Sequence, residues 1–96
     1  MIEPKWLQEE DVRLFLKESK LAGYAVHPPE EPSQGCLIEK GLGDRSWFAF
    51  RRAGKGSWSV WGLRMDSLSH GVVIRESLRT TDELLSYLEK LMQEWS

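Results

Sequence analysis

The residues best suited to nucleophilic or metal chemistry are Cys36, His27 and His70. They are widely spaced, with no CxxC or HxxxH pattern to hold zinc. A Cys36–His70 nucleophile and base is conceivable, because both residues belong to neighbouring strand regions. A lone cysteine in an apolar strand is more simply a small core residue. Gly54-Lys55-Gly56-Ser57 has the tail of a phosphate loop, but position 49 is Ala where GxxxxGK[ST] requires Gly. Asp44 and Asp66 fall in loops without a carboxylate partner at helical spacing. The expectation is a protein that is not an enzyme, with no catalytic residues, no metal and no cofactor.

Binding chemistry is better represented. The stretch Arg45–Arg64, RSWFAFRRAGKGSWSVWGLR, holds three of the five tryptophans, two of the three phenylalanines, four arginines and Lys55. It reads as two strands joined by a two-residue Gly54-Lys55 turn, with Gly first as a type II′ turn prefers. That turn sets Phe50 opposite Ser59 and Phe48 opposite Trp61, on a core face with Leu63. The other face then pairs Arg51 with Trp58, Ala49 with Val60 and Trp47 with Gly62, with Arg45 and Arg64 at its far end. A loop longer by one residue would exchange the faces. The expected partner-binding residues are Trp47, Arg51, Lys55, Trp58 and Arg64.

Tryptophan and arginine are the residue types that dominate protein interfaces. The leading expectation is a small regulatory or inhibitory protein that binds a macromolecule, foremost a protein, through its sheet face or edge. Self-association through Leu84–Trp95 falls in the same class. The alternative is single-stranded DNA or RNA, with bases stacked on the aromatic rings and arginines on the phosphates. Charge is segregated to suit either reading. Residues 1–39 carry −4, residues 40–79 carry +5 and residues 80–96 carry −3, for a net −2. The basic middle third meets either an anionic partner or the acidic flanking helices.

The elements around this hairpin follow from pattern. Ninety-six residues make a single α+β domain over 1–96. Glu9, Glu10 and Asp11 open a helix over 8–22. Its stripe is Val12, Phe15, Leu16, Leu21 and Ala22, widened by Leu7 and Leu14, and Gly23 stops it. Ala25 and Val26 make a short extended segment. Pro28, Pro29 and Pro32 mark a surface connection. Strands follow at 35–40, 45–53, 57–65 and 71–76, giving an antiparallel meander of three to four strands. Thr80 and Glu83 have the capping-box spacing for a helix over 81–95, with Leu84, Leu85, Leu88, Leu91, Met92 and Trp95 on one face. The helix–strands–helix order resembles that of double-stranded RNA-binding domains. Thr80-Thr81-Asp82-Glu83 is acidic where those domains carry a lysine cluster.

The single cysteine leaves no intrachain disulfide, so a reducing, cytoplasmic location is expected. MIEPKWLQEED has neither the apolar core nor the cleavage site of a signal peptide, and no run approaches a membrane span.

Overall fold

In the computed structural model, residues 4–31, 34–41, 44–53, 56–65 and 70–95 are described. A 3-10 turn at Lys5–Gln8 leads into α1, Glu10–Leu21. The helix starts two residues later than the expected position 8, because Glu9 is still extended (φ −60°, ψ 135°). Its end is a Schellman motif. Gly23 takes φ +97°, its N–H donates to Lys20 O at 3.1 Å, and Tyr24 N–H donates to Ser19 O at 3.0 Å. Tyr24 thereby folds back against the core. Val12, Phe15 and Leu16 are buried as expected. Leu14 and Leu21 are not: they are 54% and 79% exposed. They lie seven residues apart on the outer side of the helix. Buried Ser19, donating its hydroxyl to Phe15 O at 2.8 Å, completes the inner face instead.

Five antiparallel strands follow: β1 (Ala25–His27), β2 (Cys36–Gly41), β3 (Asp44–Ala53), β4 (Ser57–Met65) and β5 (His70–Leu78). They lie in the order β1-β2-β3-β4-β5, a meander. The antiparallel α+β layout with a helix at each end matches expectation, with five strands where three to four were expected. The added strand is the Ala25–Val26 segment, which pairs with β2 through Val26 opposite Ile38.

The hairpin register differs from the expected one. Ala53 pairs with Ser57, so the connection holds three residues, and Gly56 takes φ +80°. Gly54 and Lys55 themselves lie outside the described residues, and with them the expected type II′ turn. The extra residue moves every partner by one. Phe50 faces Val60, Phe48 faces Gly62, Ala49 faces Trp61, Arg51 faces Ser59 and Arg52 faces Trp58. Since side chains alternate along a strand, the shift sends Trp58 to the core and Trp61 to the opposite face. A bulge near the end of β5, at Ser77 with φ 67°, restores the pairing of Leu78 with Trp58.

The last helix, α2 (Thr81–Trp95), begins on its expected cap. Glu83 N–H donates to Thr80 Oγ1 at 3.1 Å. The Glu83 carboxylate reaches back to accept from Arg79 N–H at 2.9 Å. Both helices lie on one face of the sheet. One cluster joins Val12, Phe15 and Leu16 of α1 and Leu84, Leu88 and Leu91 of α2 to Cys36, Ile38, Phe48, Phe50, Trp58, Val60 and Leu78 of the sheet. Each of the larger side chains contributes about 1.5–3 kcal/mol by burial. Glu9 ties the layers together at one edge. Its carboxylate accepts from Arg52 Nη1 of β3 at 2.8 Å and from Thr81 Oγ1 of α2 at 3.3 Å.

Candidate functional site: the open face of the sheet

With both helices on one side, the other side of the sheet is left to alternate residues of the five strands. Pairing sets them in two rows. One runs His27, Leu37, Ala49, Trp61 and Ile74; the other runs Ala25, Glu39, Trp47, Leu63 and Val72. Val72 and Ile74, on the edge strand, are 71% and 69% exposed. Trp47, Trp61, Leu37 and Leu63 are half-buried. Ala49 is buried although it points to this side, which places it beneath the neighbouring indoles.

Small residues let Trp61 lie down across the sheet. A Cβ added at Gly35 would stand 2.5 Å from Trp61 Cη2, so the ring reaches from β4 past Ala49 to the start of β2. Arg51 stacks over the same ring, with its Cζ 5.8 Å from the centroid. Two shallow depressions flank Trp61. One, about 350 Å³, is bounded by Pro29, Gln34, Leu37, Trp47 and Trp61. The other, also about 350 Å³, is bounded by Arg51, Ser59, Trp61 and Ile74. Charge on this face sits at its margins. Arg45 and Arg51 belong to β3, and Glu39 lies 3.6 Å from His27 at the β1 end.

Of the five partner-binding residues expected from sequence, the structure brings two together here, Trp47 and Arg51. Trp58 is not on this face. It is fully buried beside Trp6 (ring centroids 5.4 Å apart, nearly perpendicular) and Phe50, under the Arg52 guanidinium. Its Nε1 meets no acceptor among the described residues, so ring packing and the Arg52 guanidinium hold it in place of a hydrogen bond. Arg64 alternates with Trp58, Val60 and Gly62, and so belongs to the helix side. Lys55 lies outside the described residues. The residue that sequence reasoning placed in the core and the structure places at the centre of the open face is Trp61. Counting Gly54-Lys55-Gly56 as a three-residue loop with a glycine in the left-handed region would have found it.

The chemical candidates fare differently. Cys36 is fully buried on the helix side, and desolvation pushes its thiol up to about 12 against a small opposing effect of Lys20. A thiol so protonated is inert as a nucleophile. The side chains of His70, Asp44 and Asp66 lie outside the described residues, as does the Gly54-Lys55 pair. Among the described residues, no three His, Cys, Asp or Glu side chains gather to hold a metal. Among them also, no helix is long and apolar enough to cross a membrane.

Searches of the chain against protein-family models, curated proteins and solved structures found no match.

Proposed function

We propose that this chain is a non-catalytic binding protein, regulatory or inhibitory in role, that docks a protein partner on the open face of its sheet. The observation that carries the reading is the unshared face itself. Two half-buried tryptophans and four aliphatic side chains form one surface, and the most exposed of them lie on the edge strand. Contiguous apolar surface rimmed by polar groups is the signature of an interaction site. The fitting partner has an apolar centre and carboxylates at its rim, opposite Arg45 and Arg51. Trp61 under Arg51 is the natural anchor, since aromatic and arginine residues carry most interface energy. Single-stranded nucleic acid is the weaker reading, because among the described residues Trp47, Trp61, Arg45 and Arg51 are joined on this face mainly by aliphatics and Glu39. The lone cysteine supports a cytoplasmic setting.

The test uses Val72→Lys with Ile74→Lys, two exposed positions whose change leaves the core intact. Partners captured with the wild-type chain from its host should be lost with this variant. They should be kept with Leu21→Lys, an exposed change on α1. Retention of the same partners by the double variant would refute the assignment. So would saturable tryptophan quenching by a short oligonucleotide that weakens steeply with salt, which would favour nucleic acid.

A further inference from the structure

A second surface stands on different residues, along α1. Arg13, Lys17 and Lys20 follow one another at i, i+4 and i+7, a single flank of the helix. None of the three has an acidic partner among the described residues. The flank overlooks a groove of about 490 Å³ between α1 and β1, floored by Leu7, Leu16 and Val26 and closed by Pro28. Its size is that of a ligand site. The acidic residues Asp11 and Glu18 occupy the opposite flank of the helix by spacing. Glu10, three residues before Arg13 and seven before Lys17, lies at the N-terminal end of the cation flank and borders the adjoining depression with both of them.

We propose that this groove binds an extended segment of another protein in which acidic and apolar residues alternate. The charge argument gives the sign of the ligand: three cations with no acidic partner among the described residues line one wall, in a chain whose net charge is −2. The spacing argument gives its form. Seven residues of helix rise about 10 Å, the reach of about three residues of extended chain. An extended chain presents alternate side chains to opposite sides, so its carboxylates meet the helix flank while its apolar residues meet the floor. The groove also runs beside β1, the edge strand of the sheet, whose outer side has no neighbouring strand among the described residues. Strand addition at such an edge is an established mode of peptide capture.

The probe is the blocked hexapeptide acetyl-ELEVEL-amide, titrated into the full chain by calorimetry, with acetyl-QLQVQL-amide as the neutral control. The expected result is saturable binding of the acidic peptide, weaker at about 0.3 M than at about 0.05 M salt. Lys17→Glu with Lys20→Glu, both exposed, should weaken it about tenfold, and the neutral peptide should lose a similar factor. Arg13→Gln gives a second, milder loss. Val72→Lys with Ile74→Lys should leave this binding unchanged, which separates the groove from the open face. Three results would overturn the proposal: no binding at about 1 mM peptide, equal binding of the neutral peptide, or unchanged affinity in the Lys17 and Lys20 double variant.

Discussion

Replacing Gly62 by alanine tests the register on which the whole site depends. Gly62 lies in β4 directly opposite Phe48, on the side covered by the helices. A Cβ there would stand 2.5 Å from Trp47 O and 2.8 Å from both Cα and Cβ of Phe48. The shortest of these is about 0.9 Å short of the 3.4 Å at which ordinary contact begins. The atoms in the way are backbone and a fully buried aromatic, so no flexible tip can swing aside; β3 and β4 must part. Overpacking of this kind costs about 1–3 kcal/mol. Against it stands a gain of about 0.4–1 kcal/mol from the reduced freedom of the unfolded chain. Because the obstruction is backbone, the overpacking cost belongs in the upper half of its range, about 2–3 kcal/mol, and the expected net loss is about 1–2.6 kcal/mol, or a fall in Tm of roughly 4–20 °C for a domain of this size. Urea unfolding followed by circular dichroism would measure it, with an unchanged m-value showing that the native fold persists. In the register of a two-residue turn, Gly62 would instead face the open side beside Trp47, where alanine is accommodated and stabilises. A neutral or stabilised Gly62→Ala would therefore refute both the three-residue connection and the placement of Trp61 on the open face.

Three further outcomes follow from the same structure. Thr80→Ala should cost about 1 kcal/mol in the same unfolding assay, because Glu83 N–H loses its acceptor at the start of α2. Glu9→Gln should cost less, about 0.2–1 kcal/mol, and the difference should shrink in high salt, since its pairing with Arg52 is partly exposed. Cys36 should resist a disulfide reagent in the native state at pH 8 and react on unfolding. Its folded pKa of about 12 lies above the ordinary 9.0 of the thiol, so its contribution to stability is whole below pH 9 and is lost as pH rises towards 12. The Tyr87 hydroxyl, raised mainly by desolvation, adds to the fall in the same direction.

Much of this fold was legible in the sequence because local chemistry and global need agree there. Thr80 and Glu83 announce a helix start, Gly23 a helix end, and Leu84, Leu88 and Leu91 a buried stripe; each does its expected work. The strand positions were equally readable from their apolar and β-branched runs. Facing was less so. Strand alternation has a period of two, so a single residue in the Gly54-Lys55-Gly56 connection decides whether Trp58 or Trp61 enters the core. Both choices bury one tryptophan and leave one outside, so hydrophobic pattern alone does not discriminate between them. Leu14 and Leu21 misled for a related reason. An apolar residue on a helix says nothing of which side the sheet will take, and here buried Ser19 holds the inner position. The open face was the least legible feature, because it follows from both helices choosing the same side, a tertiary outcome with no local mark.

The bulge at Ser77 bears on how this molecule behaves in company. An outer strand nine residues long, with valine and isoleucine displayed, is the kind of template that recruits further chains into a growing sheet. A serine held at φ 67° interrupts that template near its end, where two residues of β5 stand against one of β4. The uninterrupted edge is thereby shortened to the part of β5 before the bulge, and the local twist is increased. A copy adding at this edge would therefore find a regular template only along the part that displays Val72 and Ile74, ending at the bulge.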